Sequence, residues 1–466
     1  MAGIGFELQR VLRRGGIGSF IKVALSGIMI VAGPWLLSII GIFLIGRFAG
    51  FALQEGRSLF TGVIIYSYAF SLFIFGGSHY IFTRLLSDLI YLNKNKQAAS
   101  LLLLFSLIVI VLAAGISAAA MAPLTLPGVS RPLMFKLFAV AFFVIINLAW
   151  LLMIFISLLK KYVAIFLVFL GGMTLSVIGV LFLGQTMALG GAMLGFFAGQ
   201  SFTVVLLLIF SFQEYRPGEV KETLKSLVAY FPKYGFLFLS GLFYYWGIWI
   251  DKMVFWATVG QQVPGTFFRL FDLYDIPVYL ANLTMIPGLV YFIVVLETDF
   301  YTHLKGFLQS LGEGILTEIQ NRKDLLLVKL KTGLREQSLF QGVITAAFLI
   351  LAPSLSRIFA GLNVALLRIT MLAVFFQLLY LTEMTFLFYF EQYRATFLAA
   401  LAYFLVNLGG SIAVVLTSPL TSPLAGTDFF GASYLAAGIV SSTICALYLF
   451  KVVRRADRLV LARYTT

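Results

Sequence analysis

The chain has 466 residues, of which 61% are hydrophobic and only 11% are charged, a balance that excludes a soluble globular domain and predicts a polytopic membrane protein. Its 33 Lys and Arg against 19 Asp and Glu do not predict nucleic-acid binding, because the cations lie in short segments between apolar runs rather than in a basic surface domain. The single cysteine, Cys445, excludes an intramolecular disulfide and a Cys-based metal cluster.

Residues 1–18 combine Arg10, Arg13 and Arg14 with apolar residues, a pattern typical of a short amphipathic helix on the cytoplasmic membrane surface. The apolar run that follows, at about 20–45, exceeds a signal-peptide core, so we interpret it as a retained transmembrane helix. Gly33, Pro34 and Trp35 interrupt this run. Because proline removes a backbone donor, we expect a kink there and consider the three residues a candidate gating position; an ordinary membrane-helix proline is the alternative.

Further apolar runs follow along the chain, each about long enough to cross the roughly 30 Å hydrocarbon layer. They lie at about 59–83, 99–121, 133–159, 163–183, 187–212, 231–259, 272–296, 338–360, 364–390, 396–417 and 430–450. With the first run they predict about twelve transmembrane helices and an all-α fold.

The distribution of Lys and Arg predicts the orientation. With a cytoplasmic N-terminus, about 25 of the 33 cations lie on the inner side, about seven lie outside, and Lys252 lies within the bilayer. Both termini are therefore predicted to be cytoplasmic. The polar linker 213–226 separates an N-terminal lobe at 19–212 from a C-terminal lobe at 227–450, which includes a charged cytoplasmic loop at 297–337 and precedes a basic tail at 451–466. Six runs in each half indicate a parallel repeat.

The seventh run contains two charged residues among aromatic ones. Asp251 and Lys252 lie side by side, and the surrounding large aromatic residues are Tyr244, Tyr245, Trp246, Trp249 and Trp256. Because a charge in hydrocarbon costs about 3 kcal/mol or more, such residues usually face a bundle interior or a wet cavity. Rings stack on sugars while an acid and an amine bind hydroxyl and amide groups, so the stretch predicts a carbohydrate path. A buried ion pair that locks helices together is the structural alternative.

Neighbouring residues on a helix point about 100° apart, so Asp251 and Lys252 need not pair with each other, and we expect each to find a partner on another helix. Asp272, Tyr274 and Asp275 begin the eighth run on its outer side and complete the predicted path. The charged residues are therefore predicted to line the exit side.

Three residues are candidates for ion coupling: Asp251, Glu383 and His79. His79 is either a proton carrier or a packing histidine, and Glu383 is either a coupling carboxylate or a structural hydrogen-bond acceptor. Two histidines and one cysteine give no cluster for catalysis or for a metal, so we predict neither an enzyme nor a cofactor. A channel is also conceivable. Ion channels, however, usually present rings of charge or of carbonyl groups from repeated subunits, whereas this chain is aromatic-rich, with 48 Phe, and is organised as two halves.

Four segments carry a resemblance to a known family. They are Met1-Ala-Gly-Ile-Gly-Phe-Glu-Leu8, Ser26-Gly27 with Ala32-Gly-Pro-Trp35, Trp246-Gly-Ile-Trp-Ile-Asp-Lys252, and Leu283-Thr-Met-Ile-Pro-Gly288 followed by Leu296-Glu-Thr-Asp-Phe-Tyr301. These segments resemble the PelG family, the inner-membrane transporters of the bacterial Pel exopolysaccharide system. The resemblance implies the fold of the multidrug/oligosaccharide-lipid/polysaccharide flippase superfamily (MATE-like), with two six-helix lobes around a cavity lined chiefly by spans one, two, seven and eight.

The resemblance also implies a substrate and partners. The substrate is an N-acetylgalactosamine-rich biofilm polymer that becomes positively charged only after periplasmic deacetylation. The implied partners are a cytoplasmic UDP-sugar glycosyltransferase and small inner-membrane Pel proteins, including a cyclic-di-GMP sensor, and we expect anionic lipids against the basic inner segments. A flippase for lipid-linked oligosaccharides and an ion-coupled drug antiporter share this fold, so hydropathy does not separate them from a polymer exporter. Polymer synthesis and an ion gradient both stay open as driving forces.

Overall fold

A computed structural model describes residues 2–12, 14–48, 56–218, 220, 224–225, 227, 233–359, 361–417 and 427–456. Most of the predicted tail, 457–466, and residues 219, 221–223 and 226 of the predicted linker lie outside the described residues. The described part is built almost entirely from α-helices.

The helices are α1 (Ala2–Leu12), α2 (Ile17–Val31), α3 (Gly33–Phe48), α4 (Arg57–Tyr91), α5 (Asn95–Met121), α6 (Pro132–Leu158), α7 (Tyr162–Glu214), α8 (Gly235–Val259), α9 (Asp272–Leu283), α10 (Ile286–Tyr291), α11 (Glu297–Glu313), α12 (Leu316–Ile358), α13 (Val364–Tyr389), α14 (Tyr393–Thr417) and α15 (Ala432–Arg454). A π-helical turn, Phe292–Leu296, joins α10 to α11, and a 3-10 turn, Thr427–Phe429, precedes α15. The short strands β1 (Gln261–Gln262) and β2 (Arg269–Leu270) form an antiparallel hairpin between α8 and α9.

Within the described ranges, nine helical stretches are long and apolar enough to cross a membrane. Large apolar side chains on several of them are exposed, among them Val111, Phe182 and Ile350, and such exposure suits a lipid environment. The predicted all-α polytopic membrane fold is confirmed. Helix α8 is not among the nine, and its Tyr, Trp, Asp and Lys residues account for its lower hydropathy.

The predicted interruption of the first run is present in the structure. Helix α2 ends at Val31 and α3 begins at Gly33, with a turn at Ala32 between them. Ser38 Oγ donates to the Pro34 carbonyl at 2.9 Å within α3. The side chain of Trp35 lies outside the described part of the chain, so the gating role of these residues stays a prediction.

The chain divides into two compact units. Unit one comprises Met1–Val31, Ile250–Phe255 and Asp272–Thr466, and unit two comprises Ala32–Trp249 and Trp256–Phe271. This division differs from the predicted lobes at 19–212 and 227–450, because α2 groups with the second half of the chain and most of α8 with the first half.

Close backbone approaches explain this grouping. A Cβ on Gly27 of α2 would lie 2.5 Å from a Val290 methyl group of α10, so these two helices pack tightly within unit one. In unit two, a Cβ on Gly77 of α4 would lie 2.8 Å from the Phe238 carbonyl oxygen of α8. Small residues permit such contacts, and hydropathy does not reveal them.

The predicted fifth and sixth runs form the two halves of α7, which are separate helical segments on either side of a break. Its helical dihedral angles break at Ala188, which has φ 48° and ψ −132°. The two halves pack against each other in unit two, because a Cβ on Gly179 would lie only 2.7 Å from the Gly195 Cα atom. This glycine contact is typical of close helix packing in membranes.

Polar hydrogen bonds tie the helices of unit one together. Gln337 of α12 donates to Thr382 of α13 at 2.9 Å, and Gln341 donates to the Thr284 carbonyl at 2.9 Å. Ser411 and Ser433 join α14 to α15 at 2.9 Å. Each such bond between membrane helices contributes about 0.6 to 2 kcal/mol, so together they fix the arrangement of unit one.

Candidate functional site

Helix α8 positions most of the predicted site residues. It has no proline, and its Gly241 and Gly247 are separated by residues that form helices readily when neighbours pack against them. Its residues Ile250–Phe255 belong to unit one, and its remaining residues belong to unit two. The charged residues of the predicted path on α8 therefore belong to unit one, and its aromatic residues on α8 belong to unit two.

In unit one, Asp251 and Lys252 are buried, with exposed fractions of 0% and 3%. Lys252 Nζ lies 3.1 Å from Asp251 Oδ1 and 3.3 Å from Oδ2. Asp251 and Lys252 therefore pair with each other, as in the buried ion pair that the sequence pattern gives as the alternative. A lysine has a long flexible stem, so its ammonium group can reach the carboxylate of the preceding residue although their Cβ atoms diverge.

A second helix also reaches the carboxylate. Tyr274 of α9 donates its hydroxyl hydrogen to Asp251 Oδ2 at 2.5 Å, so Asp251 does have a partner on another helix, as expected. The Lys252 ammonium lies 5.9 Å from the centroid of the Tyr274 ring and 5.5 Å from that of Tyr434 on α15. We call Asp251, Lys252, Tyr274 and Tyr434 the charged cluster. The carboxylate and two aromatic rings stabilise the buried ammonium.

Aromatic packing and a hydrogen bond support the charged cluster. The Phe255 ring lies 4.6 Å from the Tyr274 ring and 4.5 Å from the Phe430 ring, between centroids. Tyr434 donates its hydroxyl hydrogen to Gln377 of α13. The cluster therefore joins the unit-one segment of α8 to α9, α13 and α15.

The two aspartates at the start of α9 differ in accessibility. Asp272 is exposed, whereas Asp275 is buried in the same first turn. Carboxylates in a first helical turn are stabilised by the partial positive charge of the free backbone N–H groups. Of the two predicted exit residues, Asp272 is the one that solvent or a substrate reaches directly.

In unit two, five aromatic rings from α4 and α8 form a continuous row. Between ring centroids, Trp256 lies 5.1 Å from Tyr66, Tyr66 lies 5.7 Å from Phe70, and Phe70 lies 6.0 Å from Phe73. Phe73 lies 5.0 Å from Trp246, with an angle of 15° between the ring planes. We call these five residues the aromatic ladder.

Hydrogen bonds hold the polar groups of two ladder residues, Trp246 and Tyr66. Trp246 Nε1 donates to the Phe73 carbonyl at 2.8 Å. The Tyr66 hydroxyl donates to the Arg269 carbonyl at 3.1 Å and accepts from the Arg269 backbone N–H at 2.8 Å. Four of the rings are only half-buried, and Trp256 is the fully buried one.

Sequence reasoning missed the α4 side of this ladder. Tyr66, Phe70 and Phe73 follow one another by four and three residues, the spacing that places side chains on one helix face. That spacing was the available signal. In an apolar helix, however, the same spacing is equally typical of ordinary core packing.

The other aromatic residues predicted on α8 lie beside the ladder in unit two. Trp249 lies 6.3 Å from Trp256, and Tyr244 lies 5.3 Å from Tyr245, between ring centroids. Tyr245 and Trp249 are half-buried, whereas Tyr244 is buried. Tyr245, Trp246 and Trp249 are therefore the predicted path aromatics with accessible ring surface.

The candidate ion-coupling residues lie in different surroundings. His79 is buried in unit two, and its Nε2 atom has no hydrogen-bond partner among the described residues. Glu383 is buried in unit one and accepts a hydrogen bond from Ser442 at 2.9 Å. The ion-coupling role of each of these residues stays a prediction.

Among the described residues, no group of three or more His, Cys, Asp and Glu side chains is placed to hold a metal ion.

Several solved structures of membrane transporters are similar to this chain. An outward-facing multidrug resistance MATE family transporter of the MOP superfamily has a TM-score of 0.58 and 13% identity, with 99% of each chain covered. The eukaryotic MATE transporter AtDTX14 has a TM-score of 0.60 and 12% identity, with 94% of this chain and 96% of that chain covered. A MOP superfamily transporter from Pyrococcus furiosus has a TM-score of 0.54 and 12% identity, with 97% and 98% covered. The fold is therefore that of the MATE transporters, as expected.

The family follows from sequence. The profile of PelG, described as "Putative exopolysaccharide Exporter (EPS-E)", matches residues 1–460. The chain belongs to this family, which confirms the resemblance given by its four segments. A comparison with curated proteins gives no match. Family and fold together point to a multi-pass membrane transporter rather than to an enzyme.

Proposed function

We propose that this protein exports a growing N-acetylgalactosamine-rich exopolysaccharide of the Pel type across the bacterial inner membrane, and that cytoplasmic polymer synthesis moves the chain. The observation that carries the proposal is the match of the exopolysaccharide exporter family along residues 1–460. The aromatic ladder supports it, because this family would need surfaces that bind neutral sugars in succession.

The ladder suits a sliding polymer. Half-buried rings of Phe70, Phe73 and Trp246 leave apolar faces and edges that can pack against sugar rings. Rings that follow one another offer similar contacts to successive sugars, so no single site need bind tightly enough to stop the chain. We therefore place the aromatic part of the substrate path along the ladder, together with Tyr245 and Trp249.

The charged cluster contributes differently. Asp251 already accepts hydrogen bonds from Lys252 and Tyr274, and all three residues are buried. A passing sugar could engage them only by exchanging its hydroxyl or acetamide groups for these internal hydrogen bonds. We propose that the cluster primarily fixes α8 in unit one and that such exchange occurs during export. Asp272 is the accessible carboxylate on the proposed exit side.

We propose a cytoplasmic UDP-sugar glycosyltransferase and small membrane proteins of the same export system as partners. The resemblance implies that the nascent polymer is uncharged, so the membrane potential has no charge on the polymer to act on. This supports coupling of export to polymer synthesis. Each sugar addition would advance the chain through the exporter.

The experiment removes the gene from a polymer-producing bacterium and follows newly made polymer in cytoplasmic and extracellular fractions. We expect extracellular polymer to disappear and to return when the gene is supplied on a plasmid. A strain without the glycosyltransferase provides the matched control for synthesis. Accumulation of a lipid-linked oligosaccharide in the deletion strain, with polymer length set elsewhere, would instead indicate a lipid-linked flippase and contradict the proposal.

A further inference from the structure

A cavity of about 390 Å³ lies between α12 and α15 in unit one. Four of its lining residues carry a positive charge, and they are Lys331 of α12, Lys451 and Arg454 of α15, and Arg455 just beyond α15. The other lining residues are Leu447 and Phe450. The cavity does not include any residue of the charged cluster.

Its charge is not balanced by the lining. Among the described residues, no acidic side chain lines the cavity, and the ion pairs of these residues involve other cations. The four like charges around this space repel one another, so an anion in the cavity is favoured, although solvent screens these exposed side chains. Cations at the end of α15 stabilise its terminal carbonyl groups, but this effect does not account for Lys331, which another helix supplies.

The α15 wall changes from apolar to cationic along one face. Leu447, Phe450, Lys451 and Arg454 have the spacing of three, four and seven residues that places them on the same side of a helix. Leu447 is 67% exposed, and Lys331 Nζ lies 5.9 Å from the Phe450 ring centroid. An apolar surface that ends in a cationic pocket has the same order of groups as an acyl chain that ends in a phosphate head group.

We propose that this cavity binds the phosphate group of an anionic phospholipid, with the acyl chain against Leu447 and Phe450. Basic pockets between transmembrane helices near the cytoplasmic surface are typical sites for anionic head groups. The Lys and Arg distribution predicts this end of α15 to be cytoplasmic. The site is independent of the proposed polymer path, because none of its residues belongs to the ladder or to the charged cluster.

The experiment measures binding of phosphatidylglycerol to the purified full-length chain in nanodiscs whose remaining lipid is phosphatidylcholine. Bound phosphatidylglycerol is counted by native mass spectrometry after the protein is released from the disc. The test variant is Lys331→Gln/Arg454→Gln. The control is Lys305→Gln/Lys329→Gln, which removes the same charge from two exposed lysines outside the cavity, on α11 and α12.

We expect the test variant to bind phosphatidylglycerol about 25-fold more weakly, since each cation near a membrane surface contributes about fivefold, and the control to bind like the wild type. Equal loss in both variants would overturn the proposal, because general surface charge would then explain binding. Thermal unfolding of each variant in detergent checks folding, and a variant that unfolds early is replaced by Lys331→Gln alone.

A second arm distinguishes the source of the phosphate. Inorganic pyrophosphate is titrated into the detergent-purified protein by calorimetry. If Lys331→Gln/Arg454→Gln abolishes pyrophosphate binding but leaves phosphatidylglycerol binding unchanged, the ligand is a soluble phosphate. This result would overturn the lipid assignment. Absence of pyrophosphate binding with loss of phosphatidylglycerol binding supports the lipid.

Discussion

Lys252 donates hydrogen bonds from Nζ to both carboxylate oxygens of the residue that precedes it, Asp251, at 3.1 and 3.3 Å. Two neighbours on one helix therefore neutralise each other inside the protein. Tyr274 supplies the third group, a hydroxyl at 2.5 Å from Asp251 Oδ2. This arrangement offsets part of the desolvation cost of two buried charges. Their role in export can be tested directly.

The first prediction concerns the stability of this pair. Asp251→Asn leaves the Lys252 ammonium buried without its countercharge, so we expect a loss of about 3–5 kcal/mol in the free energy of unfolding. The double variant Asp251→Asn/Lys252→Met should recover much of that loss, because neither residue is then charged. Thermal unfolding of the purified proteins in detergent measures both effects.

Secretion by the double variant distinguishes a role of Asp251 and Lys252 in helix packing from a role in polymer transport. Normal protein level with little extracellular polymer would assign Asp251 and Lys252 to the substrate path. Normal secretion would assign them to helix packing alone. A double variant less stable than Asp251→Asn would contradict the electrostatic explanation itself.

The second prediction concerns the aromatic ladder. Trp246→Ala removes a ring 5.0 Å from Phe73, and we expect extracellular polymer to fall by about tenfold. Trp246→Phe keeps a ring at this position and should retain most of the secretion. The measurement is polymer in the medium relative to exporter in the membrane.

Phe182→Ala is the matched control for the ladder. Phe182 belongs to α7 and is 70% exposed, so its ring contacts the surroundings of the protein rather than the ladder. Secretion by this variant should equal that of the wild type. If Trp246→Ala secretes as much polymer as Phe182→Ala, the ladder does not belong to the substrate path.

The third prediction concerns the glycine contact within α7. Gly179→Ala places a Cβ 2.7 Å from the Gly195 Cα atom, so the two halves of the helix must move apart. We expect a loss of about 1–3 kcal/mol in unfolding free energy, seen as a lower thermal midpoint. Gly190→Ala is the control, since its Cβ would have no atom within 4 Å. Equal midpoints for both variants would show that the contact is not close-packed.

Sequence patterns predicted the fold well because transmembrane helices require long apolar runs in the sequence. The interruption before Pro34 was predictable from the chemistry of proline, and the burial of Asp251 and Lys252 from their apolar neighbours. The left-handed backbone at Ala188 was not predictable, since alanine normally continues a helix and no local signal marks this position.

The division into units and the ladder required tertiary information. Gly27 packs against Val290 in unit one, a contact between residues far apart in the chain that no periodicity encodes. Tyr66, Phe70 and Phe73 have the spacing of a helix face, but only the structure shows that Trp246 and Trp256 extend the same row. The sequence left the Asp251–Lys252 pair open as an alternative, because backbone direction does not limit the reach of a lysine.

We propose that polymer synthesis, rather than an ion gradient, moves the polysaccharide. Glu383 accepts a hydrogen bond from Ser442, which Glu383→Gln can preserve while it removes the titratable group. If protons do not drive export, this variant should export at the rate of the wild type. If Glu383 couples protons, its replacement should abolish any response to a proton gradient.

Proteoliposomes with the exporter and its glycosyltransferase complex, supplied with UDP-N-acetylgalactosamine and a protonophore, test the claim most directly. The readout is polymer that reaches the lumen and is protected from an added glycosidase. We predict protected polymer without any ion gradient, at equal rates for the wild type and Glu383→Gln. Polymer that stays accessible to the glycosidase until a gradient is imposed would contradict the account.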